Sequence, residues 1–249
     1  MTKVKINALG AWYDSADSNF YAWGEAFHPS IRRLKDISDL LYDKRALGKM
    51  DGDLPIYFMY RDVKRSEDEQ VFRSNSVRYD VTVVPPRMIG EEFVKTVGHY
   101  HPLIEEGLTF PEIYQVMQGK AHYLLQKGND GYISDVILIK AKRGDIVFIP
   151  PNYGHITINP SDANLVMANL VSSRFDSLYE QFKEKHGGAY YELAGSRFLK
   201  NDNYISVPQL RIVQDQTSKL PQGKRDIYST FIEMPSYFSF LNDPKSFNI

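Results

Sequence analysis

Three histidines and a glutamate stand in this chain at the spacings that ligands of one divalent ion would need. In the segment 96–119, TVGHYHPLIEEGLTFPEIYQVMQG, His99 and His101 are two positions apart. On an extended strand both side chains therefore leave one face, while Tyr100 leaves the other. Glu112 opens the next strand-like run, and His155 opens another within 144–159, GDIVFIPPNYGHITIN, where Pro150 and Pro151 stiffen its approach. Two imidazoles from one pleat, a carboxylate from the next strand and a third imidazole can converge on one ion. Nitrogen and oxygen donors without sulfur suit Fe(II), Mn(II), Zn(II), Ni(II) or Co(II). Four protein ligands on a six-coordinate ion leave two exchangeable positions, which is what a catalytic centre requires. Tyr114 shares a strand face with Glu112, so an aromatic hydroxyl is expected beside the ion. A single histidine in a β-rich chain is more often a hydrogen-bonded structural residue; the joint spacing argues for metal. His28, His122 and His186 lack partners at useful spacing and read as surface or structural residues, although His122 could approach the cavity from its strand.

The elements that must hold these residues are mostly short strands. Apolar runs with β-branched and aromatic residues predict strands over 56–63, 79–84, 92–97, 112–118, 121–126, 133–139, 145–149, 155–159 and 165–172. Gly119, 128–131 and 143–144 punctuate them as turns. Many short strands at this spacing indicate a sandwich, jelly roll or barrel. A helix is predicted over 38–47, with Asp36 or Ser38 as cap and Gly48 near its end. A second helix is expected after Ser172 or Ser173, where Phe175, Leu178, Tyr179 and Phe182 form an i, i+3, i+4, i+7 stripe that reads as core packing, with Gly187 ending it. A further strand is expected over 204–213. Residues 1–30 are aromatic without a clear period and read as an arm lying on the body or on a second subunit. Residues 216–249 read as a Pro-containing tail with the same choice of contacts.

Composition removes several classes of function. The chain has 249 residues, 43% of them hydrophobic and 13% aromatic, enough for one large folded domain. Lys and Arg total 30 against 31 Asp and Glu, scattered without a basic stripe or polybasic run, so neither nucleic acid nor a membrane surface is an expected partner. There is no Cys, which excludes disulfides and thiolate ligands together. No apolar run approaches the roughly 20 residues of a bilayer span, and the start lacks a signal-peptide core. A soluble, cytoplasmic protein is expected.

These motifs resemble those of the cupin superfamily, an H-x-H…E…G segment followed by G-x5-P…H-x3-N. Here they are His99, His101, Glu112 and Gly119, then Gly144, Pro150, His155 and Asn159. More narrowly, the strings RRLKDI, TVGHYH, PEIYQVMQGKAHYLLQ and GDIVFIPPNYGHITIN are similar, in order, to blocks of the cupin-type glucose-6-phosphate isomerases, over roughly 31–215. The resemblance implies an all-β cupin barrel (a double-stranded β-helix or jelly roll) with flanking N- and C-terminal helices and arms. It implies one divalent metal per subunit, with Fe(II) first, and a homodimer. Its metal ligands fall on His99, His101, Glu112 and His155. Its sugar-phosphate contacts fall on Thr82, Thr96, Gly98 and Tyr179, and its active-site tyrosine on Tyr114. On their own, Thr82 and Thr96 would read as ordinary strand residues. The chain departs from the family pattern in a longer stretch between His101 and Glu112, and in Val171 and Ser177, which stand where the family has Tyr and His.

The activity so implied is metal-dependent interconversion of glucose 6-phosphate and fructose 6-phosphate through an enediolate, with Glu112 as base and Tyr114 serving the hydroxyl protons. A metal-promoted hydride shift would use the same residues. Two other readings compete: another cupin metalloenzyme such as a dioxygenase, and a non-catalytic cupin that binds a sugar phosphate.

Overall fold

The strand Glu112–Gln118 divides its side chains between two apolar clusters, as a pleat dictates. Ile113 and Met117 enter one cluster, and Tyr114 and Val116 enter the other. In the computed structural model, which describes residues 3–6, 10–105, 107–214, 220–224 and 226–246, this strand is second in a six-stranded antiparallel sheet. The sheet order is Ile146–Ile149, Glu112–Gln118, Leu165–Ser172, Val77–Val84, Pro55–Tyr60 and Ser30–Arg33. A four-stranded sheet, ordered Gly154–Ile158, Lys120–Asn129, Tyr132–Lys142 and Arg211–Gln214, closes over it. Tyr123 and Leu125 of the second sheet pack with Tyr114, Val116 and Met167 of the first in one cluster. This is the all-β cupin barrel that the motifs imply.

Each sheet also buries its outer face. Leu124, Leu138 and Ile156 of the four-stranded sheet pack with Phe182 and with Tyr190 of the hairpin Tyr190–Leu193/Arg197–Lys200. The outer face of the six-stranded sheet is covered from both directions of the sequence. A meander of four short strands, Lys3–Ile6, Ala11–Asp14, Asn19–Ala22 and Glu25–Phe27, brings Ala11, Tyr13 and Phe20 to it. The helix Ile227–Glu233 and the 3-10 turns Pro235–Leu241 bring Tyr228, Phe231 and Phe238. Asp226 caps that helix by accepting the Ser229 N–H at 2.7 Å. Each of these fully buried aromatics contributes about 1.5–3 kcal/mol of burial.

Several expected elements are corrected. The single helix over 38–47 is instead a turn of helix Leu34–Ile37, a 3-10 turn Ser38–Leu40 and a separate turn Lys44–Leu47. Neither Asp36 nor Ser38 starts the last of these; Asp43 does, accepting from the N–H groups of Arg45 and Ala46. The amphipathic helix after Ser173 shrinks to Glu180–Glu184. Its first half is extended because Leu178 exchanges two backbone hydrogen bonds with Tyr100, at 2.8 and 2.9 Å. Of the four stripe residues only Phe182 is fully buried; Leu178 is 43% exposed, Phe175 faces a cleft, and Tyr179 faces it while packing against the core. The strand over 204–213 is reduced to Arg211–Gln214, paired in parallel with Tyr132–Lys142. The strand over 92–97 is cut to Glu92–Phe93, followed by a lone bridge from Lys95 to Ile158. The described residues of the 1–30 segment form the regular meander that its missing period did not predict. Among the described residues no helix is long and apolar enough to cross a membrane.

Candidate metal centre

Local chain geometry brings the four ligands together. His99 and His155 exchange backbone hydrogen bonds, at 3.0 and 3.2 Å, which sets their rings 4.4 Å apart between centroids. Two residues on, His101 leaves the same face, 5.1 Å from His99 and 5.5 Å from His155 between ring centroids. Tyr100 between them points the opposite way, into the cluster with Phe182. Gly98 permits this approach: its φ is +80°, and a Cβ there would meet Ile156 Cγ1 at 2.5 Å. Thr96 ties the same segment to the His155 strand, donating its N–H to the Thr157 carbonyl and accepting the Thr157 N–H on Oγ1.

Glu112 comes from the facing sheet. Its Oε2 lies 3.4 Å from His101 Nε2 and 3.3 Å from His155 Nε2. One ligand atom from each of His99, His101, Glu112 and His155 falls within 4.8 Å of all the others. His101 donates from Nδ1 to the Phe110 carbonyl at 2.7 Å, which leaves its Nε2 as a lone-pair donor. Asn169 Nδ2 donates to Glu112 Oε1 at 2.6 Å, leaving Oε2 for the cluster. His101 Nε2 and Glu112 Oε2 are buried without a hydrogen-bond partner, as is His155 Nδ1. Such orphaned atoms cost about 1–3 kcal/mol each, and a cation shared by the first two removes that cost. The residues fit a divalent metal.

Their protonation fits as well. Burial, then the neighbouring His155 and His101, hold His99 well below the usual imidazole range. Burial also lowers His155, against the opposing pull of Glu112. Burial alone would raise Glu112, but the two imidazoles beside it outweigh that and keep its carboxyl well below the usual range. Neutral imidazoles and an ionised carboxylate are the forms that bind metal.

The four residues line one cleft that opens to solvent. Tyr114 lines it and meets His155 Nε2 through its hydroxyl at 3.1 Å. Burial, then Glu112, push the Tyr114 hydroxyl well above the usual phenol range, so it stays protonated. Thr82, Thr96, Gly98 and Tyr179 line the same cleft, as do Val171 and Ser177. The remaining histidines are elsewhere: His28 pairs with Asn19, His186 with the Asp39 carbonyl, and His122 turns to Glu192 and not to the cavity. The long stretch between His101 and Glu112 forms a small hairpin, Leu103–Glu105 with Leu108–Thr109, pinned where Thr109 and Asn152 exchange hydrogen bonds. Sequence reading missed Arg61, Arg78, Asn169 and Tyr57, which also line the cleft, and placed Phe175 in the core.

Comparison with known proteins bears on this arrangement. The profile of the family described as Glucose-6-phosphate isomerase (GPI) matches residues 31–209. This chain belongs to that family. Among curated members, the glucose-6-phosphate isomerase of Thermococcus litoralis is 31% identical over 158 residues, 63% of this chain and 76% of the relative. That of Pyrococcus furiosus is 26% identical over 162 residues, 65% and 79% of the two chains. A solved structure of Bacillus subtilis oxalate decarboxylase is 20% identical, covers 54% of this chain and 30% of its own, and has a TM-score of 0.35. As a glucose-6-phosphate isomerase family member, the chain carries its four candidate ligands inside the matched region.

Proposed function

We propose that this chain is a metal-dependent aldose–ketose isomerase interconverting glucose 6-phosphate and fructose 6-phosphate. The carrying observation is the convergence of His99, His101, Glu112 and His155, with two orphaned donor atoms, along a cleft in a chain of this family.

The reaction moves one hydrogen between C1 and C2 of the open-chain sugar. His99, His101, Glu112 and His155 would hold a divalent ion, whose Lewis acidity would acidify the C–H beside the sugar carbonyl. Glu112 is the base: its carboxylate takes the proton from C2 of the aldose and returns it to C1, through an enediolate of the sugar. Asn169 holds Oε1 and leaves Oε2 to the cluster, so Glu112 would serve as ligand and base in turn. Tyr114 holds a protonated hydroxyl on the same face and passes the hydroxyl proton between the C1 and C2 oxygens. Thr82, Thr96, Gly98 and Tyr179 are assigned to the sugar phosphate, and Phe175, stacked on Phe110 with ring centroids 4.6 Å apart, walls off water on the His101 side. Fe(II) is the assigned ion, Mn(II), Zn(II), Ni(II) and Co(II) being compatible with the same donors. A cytoplasmic homodimer is part of this reading, and analytical ultracentrifugation tests its subunit count.

The deciding experiment is a coupled assay with each hexose phosphate after chelation and after adding back each metal singly. Activity lost on chelation and restored by one ion is the expected result. Sugar-phosphate binding without turnover in metal-replete protein would make this a binding protein instead. Reaction in deuterated water separates the proton route, which labels C2 of glucose 6-phosphate formed from fructose 6-phosphate, from a hydride shift, which leaves it unlabelled.

A further inference from the structure

Two arginines open onto the same cleft and have no part in the chemistry above. Arg61 follows the strand Pro55–Tyr60, and Arg78 lies on Val77–Val84. Both are fixed by one buried carboxylate: Asp80 takes Arg61 Nη1 on Oδ2 at 2.6 Å, and Arg78 Nε on both oxygens at 2.9 Å. The Asp62 N–H completes its set at 2.9 Å. One guanidinium suffices to neutralise Asp80. The second leaves a net positive charge, and Arg78 spends only its Nε on the pair, so its terminal nitrogens remain for a ligand. The side chains keep 44% and 29% of their surface exposed, so the charge is reachable. Among the described residues that line the cleft, Arg61 and Arg78 alone bear a permanent positive charge.

Their position follows from the sheet. Arg78 pairs with Val171, and Val171 pairs with Glu112. Arg78 thus lies two strands from the base, roughly 9–10 Å across the sheet. The carbon chain of a hexose, five C–C bonds of about 1.5 Å, with its C–O–P link reaches across that interval when C1 and C2 lie over Glu112. On the same strand face, Thr82 is two residues beyond Asp80 and lines the same cleft.

We propose that Arg61 and Arg78, braced on Asp80, grip the phosphoryl group of the substrate. The proposal rests on the sugar-phosphate reading and supplies what Thr82, Thr96 and Gly98 lack, a charge to meet a dianion. Planar guanidinium forks suit phosphate oxygens. Holding both on one carboxylate removes much of their freedom before substrate arrives.

The test is calorimetry on the full chain as purified, with fructose 6-phosphate, inorganic phosphate and unphosphorylated fructose as probes, for wild type, Arg61→Gln and Arg78→Gln. Each substitution leaves one guanidinium on Asp80. The expected result is at least about a tenfold rise in Kd for both phosphate probes, the loss typical of one charge-assisted contact, and no change for fructose. In the assay KM should rise in step while kcat moves less than about threefold. A measurement free of mutants is phenylglyoxal modification of the wild type read by peptide mass spectrometry, in which fructose 6-phosphate should shield Arg61 and Arg78 and fructose should not. Unchanged phosphate affinity in folded variants, or absence of shielding, overturns the grip even if isomerisation is found. Shielding and lost affinity in a chain that does not isomerise would keep the grip and remove the isomerase.

Discussion

At the scale of single residues, the site is a set of ligands whose orientation is set by groups behind them. His101 is aimed by a backbone carbonyl and Glu112 by Asn169. Asn169→Ala is therefore expected to weaken metal affinity or kcat about 10–100-fold and, by leaving buried Glu112 Oε1 without its donor, to cost the metal-free protein about 1–3 kcal/mol of stability. Chelator competition and steady-state kinetics measure the first two, and denaturant unfolding the third. His101→Ala removes a ligand outright and should abolish stoichiometric metal binding with the far-UV spectrum retained; full metal occupancy in that variant would refute the ligand set. The convergence of the candidate ligands was legible because two-residue periodicity places His99 with His101. The same periodicity, carried along neighbouring strands, would have found the missed residues. Asn169 shares a face with Met167 and Val171, and Arg78 and Asp80 share one with Thr82. Arg61 continues the alternation of Tyr57 and Met59, which line the same cleft, although the strand itself stops at Tyr60.

At the scale of elements, regular strands were readable and irregular connectors were not. Glu112–Gln118 and Leu165–Ser172 match their expected bounds, since each is buried on both faces along nearly its whole length. The Phe175–Phe182 stripe has helical spacing but contacts of tertiary origin: pairing of Leu178 with Tyr100 outweighs the local preference. Phe175 thereby becomes a cleft wall, and Tyr179 lines the cleft while packing against the core. Gly98 is the sharpest test at this scale. Gly98→Ala forces a side chain onto a positive φ and into Ile156, so denaturant unfolding should show a loss of about 2–4 kcal/mol, with a fall in activity from displaced His99. The helix cap is milder: Asp226→Ala should cost about 1 kcal/mol without changing KM, because the helix lies outside the barrel.

At the scale of the whole molecule, the barrel places its candidate ligands on two sheets that a bound ion would help to join. His155 comes from the four-stranded sheet and Glu112 from the six-stranded one. Binding a metal is therefore binding across the barrel. At a metal concentration a hundred times Kd the gain is about 2.7 kcal/mol, which for a domain of this size raises Tm by roughly 5–10 °C. Differential scanning fluorimetry with and without chelator should show that shift in wild type and none in His101→Ala.

The cover on the outer face of the six-stranded sheet has a consequence for how the chain reaches this state. Its two halves are drawn from residues 3–27 and 226–246, so the first half waits through synthesis of every barrel strand before the second arrives. Until the later segment emerges, Tyr79 and Phe148 lack Tyr228 and Phe240 over them, and a nascent barrel presents a sticky flank to its neighbours. Chaperone demand should thus peak late in translation, after the metal ligands are already made.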